Sequence, residues 1–235
     1  MKVSQLKGKL LWKLLTVIIK IMKDIAIYGA GGFGREVFCL LKRINSEVVP
    51  TWNVIGFFDD GLPVGSSNEY GKILGNIDTL NRWSKPISVV LAIGSPKIVE
   101  YLYSIIDNPY VDFPNILSPD ILFMDRNNVR IGRGNILCPH CFVSCNIEIG
   151  NFNTFNVYTT IGHDVKIGNF NSIMPAVKIS GGVVIGNKNL LGVNSIILQY
   201  KTIGHNTIIG ASSVVIRNTK DGFTYIGNPA KRIQY

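Results

Sequence analysis

The sequence predicts an α/β domain followed by a parallel β-helix built from three-sided coils. Three observations carry that prediction. The first is a period of six: Ile131, Leu137, Val143, Ile149, Phe155, Ile161, Ile167, Ile173, Ile179, Ile185, Leu191, Ile197, Ile203, Ile209 and Val215 are evenly spaced and all apolar. In a chain that is 46% hydrophobic, so long a run without an insertion marks a solenoid. The second is what surrounds that position. Glycine follows it at Gly132, Gly150, Gly162, Gly168, Gly186, Gly192, Gly204 and Gly210, and four residues on the side chain is small, polar or β-branched, as at Asn135, Cys141, Thr159, Val165 and Ser195. The third is a strand, Asp24-Ile-Ala-Ile-Tyr28, running through Gly29-Ala-Gly-Gly-Phe-Gly34 into a helical pattern over 35–43.

Each hexad reads as one short strand and one turn. Three hexads, eighteen residues, close a triangular coil whose interior is filled by the recurring Ile, Leu or Val, while the small fourth residue lets the corner close. At ~4.8 Å per layer the run spans on the order of 25 Å. The β-branched content suits strands, and Gly and Asn suit turn positions with φ > 0. A sandwich of alternating strands would not stay locked to six.

In the first domain, Gly29, Gly31 and Gly34 fit the spacing that lets a backbone approach a phosphate at a helix N-terminus. Two more strands, Val54–Phe58 and Ile87–Ile93, end in Asp59-Asp60 and Gly94-Ser95. These strand ends line one crevice at the carboxyl edge of a small parallel sheet. A redox dinucleotide is not expected. The interval from Gly29 to Asp59 exceeds the usual ~20 residues to a ribose-binding acid, and three strands make half a dinucleotide fold. A nucleotide held with Asp59 or Asp60 on its ribose or base fits better; glycines serving only helix packing are the alternative. Phe113–Pro119 is the junction. The organisation is then a basic amphipathic extension over 1–21, a Rossmann-like nucleotide-binding domain over 22–115 and a β-helix over 116–235.

The formal net charge is +9, but residues 1–21 hold Lys2, Lys7, Lys9, Lys13 and Lys20 and no acid, so the remainder carries +9 − 5 = +4. The basic balance therefore belongs largely to the first segment and does not point to nucleic acid. That segment is too broken by lysines to span a bilayer, yet could lie on an anionic membrane surface; Met22 also reads as a domain start. Cys39, Cys138, Cys141 and Cys145 do not form a secreted disulfide framework, so a cytoplasmic location is expected.

Three-sided prisms mostly serve acyl transfer, but the site must be argued from residues. Transfer from a thioester to a hydroxyl or amine needs a base, and histidine suits neutral pH. His163 follows Ile161-Gly162 at a turn and precedes Asp164, a carboxylate placed to hold its ring. One coil below is Cys145 and one above is Gly181, both small, which leaves space around the imidazole. His205 lies on a different face and reads as a turn residue. His140 lies in Cys138-Pro-His-Cys141-x3-Cys145, but Cys141 points inward and Cys145 outward, so no metal is expected.

Gly29-Ala-Gly-Gly-Phe-Gly-Arg-Glu-Val37, Asp59-Asp60, Ile161-Gly-His-Asp164, Ser180-Gly-Gly-Val-Val-Ile-Gly186, Leu191-Gly-Val-Asn-Ser195 and Tyr225-Ile-Gly-Asn-Pro-Ala-Lys231 together resemble the sialic acid O-acetyltransferase family, which includes bacterial UDP-amino-sugar N-acetyltransferases. The resemblance covers Met22 to Tyr235. It implies a left-handed β-helix, a homotrimer, and acetyl-CoA in the groove between neighbouring prisms, with no metal and no NAD. It makes His163 the general base, with Asp164 raising its basicity. Backbone at Val193 and Ala211 would contact the pantetheine arm, and Gly31, Gly32, Phe33, Asp59, Asp60 and Gly94 would hold the acceptor. Apart from the resemblance, spacing alone sets backbone N–H groups at Gly181 and Gly182 near the oxyanion, and Lys231 and Arg232 at the tail are expected to meet the CoA 3′-phosphate. Two positions depart from the UDP-amino-sugar members: Ser172 replaces a histidine nine residues past the base, and Phe33 replaces a histidine in the glycine loop. Both touch the acetyl or substrate pocket.

The expected function is acetyl-CoA-dependent acetyl transfer to a hydroxyl or amino group of a sugar or nucleotide-sugar in glycan biosynthesis. A non-catalytic scaffold, or an acyltransferase acting on a small non-sugar acceptor, is the alternative.

Overall fold

The structure is a computed structural model that describes residues 22–233; the basic extension read over 1–21 lies outside the described residues. The first domain is α/β. Its elements are β1 (Lys23–Tyr28), α1 (Gly32–Glu47), β2 (Trp52–Phe58), β3 (Ser67–Asn68), β4 (Gly71–Gly75), α2 (Ile77–Asn81), β5 (Ile87–Leu91), α3 (Pro96–Ile105) and β6 (Val111–Asp112). The sheet order is β3-β4-β2-β1-β5-β6, with β3 antiparallel to β4 and the other neighbours parallel. The sequence displayed only β1, β2 and β5, whose apolar runs fill the centre of the sheet. β3, β4 and β6 are short edge strands without such a run. Because the chain leaves β1 through α1 to β2 and then crosses back to β5, the switch point lies between the carboxyl ends of β1 and β5.

From Ile116 the chain winds as a left-handed β-helix. Its first face stacks Ile116–Leu117, Ile136–Leu137, Thr154–Phe155, Ser172–Ile173, Leu190–Leu191 and Ile208–Ile209 in parallel register. The second stacks Leu122–Phe123 through Val214–Val215, and the third Val129–Ile131 through Thr202–Ile203. Coiling therefore starts two sides before Ile131, which lies on the third side of the first lap. A short 3₁₀ turn, Arg126–Asn128, lengthens that first lap and hides its first two sides from a count of six. At the other end Thr224–Ile226 pairs with Ile208–Ile209 and turns back antiparallel to Lys231–Arg232, closing the stack.

The apolar residue of each hexad from Leu137 to Val215 is 4% exposed or less and joins one continuous core. Each such burial is worth roughly 1.5–3 kcal/mol. The turn reading needs correction. The left-handed backbone falls three residues after the apolar position, at His140, Asn146, Phe152, Tyr158, Asp164, Phe170, Ala176, Lys188, Asn194, Tyr200, Asn206 and Ser212, with φ of 51–60°. The glycines directly after the apolar residue serve stacking instead: a Cβ on Gly150 would stand 2.5 Å from the Gly168 carbonyl oxygen, and one on Gly162 2.6 Å from the Gly181 nitrogen.

The three vertices differ in chemistry. The asparagine vertex, between the third and first faces, carries Asn135, Asn153, Asn171 and Asn189, one per coil. Asn153 Nδ2 donates to Asn135 Oδ1 at 3.0 Å and Asn171 Nδ2 to Asn153 Oδ1 at 2.9 Å. The proline vertex, between the first and second faces, stacks Pro139, Val157, Pro175, Val193 and Ala211. The histidine vertex, between the second and third faces, stacks Cys145, His163 and Gly181.

The α/β domain covers the first face. Val37, Leu40 and Leu41 of α1 share a core with Ile116, Ile136 and Cys138. α3 reaches the asparagine vertex, where Tyr103 packs on Phe152 at 4.4 Å between ring centroids and Glu100 pairs with Lys188 at 3.2 Å. The histidine vertex is thus the edge of the prism opposite the α/β domain of the same chain.

Candidate active site

At the histidine vertex, His163 Nδ1 lies 2.7 Å from Asp164 Oδ2, and both side chains are about half exposed. A carboxylate only accepts, so Nδ1 carries the proton, and in the neutral ring the lone pair is on Nε2. A Cβ on Gly181 would stand 2.4 Å from that Nε2. The missing side chain at 181 is therefore what the ring occupies. Asp164 Oδ1 also accepts from Asn146 Nδ2 at 2.5 Å, one coil below. That bond first, and the bond to His163 second, hold the Asp164 carboxyl below the usual carboxylate range. Of the two N–H groups read as oxyanion donors, Gly182 is committed: it donates to the His163 carbonyl at 2.8 Å, because that bond joins the coils. Among the described residues, the Gly181 N–H donates to no carbonyl.

The crevice at the carboxyl edge of the sheet gathers the predicted acceptor residues. Gly29 and Gly34 are needed by the fold itself, since Gly29 has φ 102° and a Cβ on Gly34 would stand 1.8 Å from the Gly29 carbonyl oxygen. Gly31, Gly32 and Gly94 are different: a Cβ on any of them would meet nothing within 4 Å. Packing within the chain does not require those three glycines. The first turn of α1 holds no acid, leaving its N–H groups and positive dipole end facing outward.

Asp59 and Asp60 are already engaged. Asp59 Oδ2 accepts from Ala30 N–H at 2.8 Å and Oδ1 from Gly61 N–H at 2.9 Å. Asp60 Oδ2 accepts from the Tyr28 hydroxyl at 2.7 Å and Oδ1 from Ile77 N–H at 3.0 Å. The acids thus shape the loop, and each oxygen keeps a second lone pair for a ligand. Burial first, then the bond to Asp60, drives the Tyr28 phenol upward and keeps it protonated.

A cleft of about 520 Å³ continues from this crevice between α1 and the prism, lined by Phe33, Arg35, Arg43, Tyr70, Pro139 and Val157 among others. Ser172 is 4% exposed, and its hydroxyl donates to the Gly94 carbonyl at 2.7 Å, so it pins the β5–α3 loop to the first face. Val193 and Ala211 are exposed on the proline vertex. The tail folds over the top of that vertex, with Ala230 N–H donating to Val214 O, and leaves Lys231 exposed there. Arg232 lies over the Phe223 ring at 4.4 Å. The structure therefore brings Gly31, Gly32, Phe33, Asp59, Asp60, Gly94 and Ser172 to one side of a chain, with Val193, Ala211 and Lys231 above them. It holds His163, Asp164, Gly181 and Gly182 on the opposite edge.

His140 does not join the cysteines. Its Nδ1 lies 2.9 Å from Asp120, its ring stacks on Tyr158, and Cys141 is buried in the core. His205 Nδ1 accepts the Asn187 N–H at 3.0 Å as a turn residue. The sequence reading missed Asn146, although subtracting one eighteen-residue lap from Asp164 lands on it. It also missed Tyr28, which carries no signal beyond a strand-end aromatic.

Residues 24–106 match the family described as the PglD N-terminal domain. The chain is similar to WeeI from Acinetobacter baumannii, with 29% identity, a TM-score of 0.79, and coverage of 90% of this chain and 100% of that one. It is similar to the acetyltransferase domain of PglB from Neisseria gonorrhoeae, solved in complex with acetyl coenzyme A, with 27% identity, a TM-score of 0.81 and the same coverage. The chain is an acyltransferase, and its likeness is to sugar acetyltransferases with an N-terminal Rossmann-like domain. A mutant perosamine N-acetyltransferase from Caulobacter crescentus, in complex with CoA and GDP-perosamine, shares the fold at 23% identity and a TM-score of 0.79, covering 90% of this chain and 97% of that one. No curated protein matches this chain. None of the helices among its described residues is long and apolar enough to cross a membrane.

Proposed function

We propose that this acetyltransferase moves an acetyl group from acetyl-CoA to a hydroxyl or amino group of a sugar or nucleotide-sugar, in a site shared by neighbouring chains of a homotrimer. The observation that carries the reading is the His163 ring, held by Asp164 at 2.7 Å with Nε2 turned into the space that Gly181 leaves open. Residues 22–115 would bind the acceptor and residues 116–235 the thioester.

The proline vertex fits acetyl-CoA. Pro175, Val193 and Ala211 form an uncharged ridge along which an extended pantetheine can run, and Lys231 lies at its top for a phosphate. Bound acetyl-CoA supplies an activated carbonyl and a thiolate leaving group. His163 Nε2 accepts the proton that the acceptor hydroxyl or amine gives up as it attacks. Asp164 holds the resulting imidazolium through Nδ1–H, and Nε2 then returns the proton to the departing sulfur. The Gly181 N–H is the remaining oxyanion donor.

The second face supports the assembly. It joins the proline and histidine vertices, and its outward row, Leu122, Phe142, Thr160, Lys178, Ile196 and Val214, is mostly apolar. The corresponding row of the third face begins Arg130, Glu148, Lys166. Three copies that turn their second faces to a common axis set the proline vertex of one against the histidine vertex of the next, and the ring closes.

Release of CoA thiol, measured against a panel of nucleotide-sugars, tests the reaction; His163→Ala should lose ~10²–10⁴ in rate. Subunit mixing tests the shared site. His163→Ala and Val193→Trp should each be inactive alone. Random mixing in a closed ring should restore activity at about one interface in four, because one chain then supplies the imidazole and its neighbour the intact vertex. Wild-type turnover by His163→Ala would refute the base. No recovery on mixing would refute the shared site.

A further inference from the structure

We propose that Asn146 is a positioning residue for proton transfer: its side-chain amide, one coil below, fixes the Asp164 carboxylate so that His163 Nδ1 meets a single acceptor in a single orientation. The inference rests on the reading of His163 as the base and adds the group that holds the base's partner.

The carboxylate is divided between two donors. Asn146 Nδ2 donates to Oδ1 at 2.5 Å, and His163 Nδ1 donates to Oδ2 at 2.7 Å. Two bonds to two oxygens fix the plane of the group, whereas a half-exposed aspartate with one bond would sample several rotamers. The backbone below the carboxylate is fixed as well, since Asp164 N–H donates to the Cys145 carbonyl at 3.1 Å. Both Asn146 and Asp164 have φ 58°, a left-handed state that Asn and Asp tolerate better than most residues.

The chemistry of an amide suits this task. A lysine or arginine at 146 would hold the carboxylate but cancel its charge, leaving less of it to stabilise the imidazolium. A second carboxylate would add charge but could not donate. A neutral donor orients Asp164 and leaves its charge to act on His163.

The bond is not a rung of a structural ladder. At the asparagine vertex the amide bonds repeat from coil to coil. Here the position below, Asn128, donates to Asp125 at 2.6 Å, and the position above is Gly182, which has no side chain. The pair stands alone at the one coil that carries the imidazole. Of the other charged groups on this side, Glu148 and Lys166 pair with each other at 3.3 Å, and Arg130 is in register with Glu148 one coil down. The coil above presents Gly181 and Gly182, with Tyr200 and Lys201 beyond.

The test is the pH profile of kcat/KM for Asn146→Asp and Asn146→Gly, both compatible with the left-handed backbone, beside wild type and His163→Ala. In Asn146→Asp, a second negative charge stabilises the imidazolium. The acid limb should move to higher pH by about one unit, and kcat at neutral pH should fall ~10-fold. In Asn146→Gly, kcat should fall ~10-fold through lost orientation, with KM for acetyl-CoA and acceptor unchanged. Melting temperatures should stay near wild type, which separates this role from a structural one. A wild-type acid limb and wild-type kcat in Asn146→Asp, with His163→Ala inactive, would overturn the inference and leave the base standing. Normal turnover by His163→Ala would overturn both.

Discussion

Gly181→Ala is a small change with a large expected effect. The added methyl would stand 2.4 Å from His163 Nε2, 2.6 Å from Cε1 and 2.9 Å from Cδ2. Carbon contacts settle near ~3.5–4.0 Å, so the ring must retreat by about 1 Å or more. It has somewhere to go, because the side chain is half exposed, and Gly181 is not among the glycines with left-handed backbone. The fold should therefore tolerate alanine, with stability changed by less than about 1 kcal/mol. Catalysis should not tolerate it, because a retreat of that size breaks the 2.7 Å bond to Asp164 and carries Nε2 away from the acceptor. A misplacement of about 1 Å costs ~10²-fold in rate. Steady-state thiol release gives kcat, and a melting curve on the same sample gives stability. A Gly181→Ala enzyme within a few-fold of wild-type kcat would refute the argument that the ring's position, held by the space at 181, is what the vertex provides.

The asparagine ladder, the Asp120 contacts and the buried thiols each have a measurable consequence. Asn153→Ala removes a buried amide bonded on both sides and should destabilise the fold by about 2–4 kcal/mol, whereas Asn189→Ala should cost less because the Asn189 amide nitrogen already lacks a partner; denaturant midpoints would rank them. Burial pushes the Asp120 carboxyl up, but Ser118, Arg43 and His140 outweigh it and hold it below the usual range. That contribution to holding α1 on the prism is present above the unfolded carboxylate pKa of ~3.9 and lost as pH falls through the lower folded value, so Asp120→Asn should flatten the acid end of a plot of Tm against pH. Burial raises the Cys138 and Cys141 thiols to about 12, so iodoacetamide at neutral pH should label exposed Cys39 and spare both until the protein unfolds, as peptide mass analysis would read.

The prism was legible because every turn repeats the same packing problem. An interior only one apolar side chain wide demands that side chain every six residues, and nothing else in the chain competes with that beat. The first two sides escaped because Arg126–Asn128 adds residues to a single turn. The edge strands β3, β4 and β6 escaped because a strand paired on one side and half exposed needs no apolar run. At the site, the spacing placed His163, Asp164 and Gly181 on one vertex, and the structure keeps them there. It could not display how the acids of the crevice bond, since Asp59 to Ala30 and Asp60 to Tyr28 span about thirty residues with no period to relate them.

The glycines show where folding and function part. At Gly132, Gly150, Gly168 and Gly186, the place of a Cβ is taken by the backbone of the next coil, so the fold alone accounts for them. At Gly34 it is taken by the turn of the same loop. Gly181 belongs to neither group, because its space is filled by an imidazole that could as well point to solvent. Gly31, Gly32 and Gly94 face nothing at all. A glycine makes the unfolded chain more flexible, a cost that the room it leaves can offset. At Gly31, Gly32, Gly94 and Gly181 the backbone of the fold does not take up that room. One of the four touches the base, and the other three line the crevice that Ser172 ties to the prism. These are the two parts of the proposed reaction, and the same chain carries them on opposite sides of a triangle.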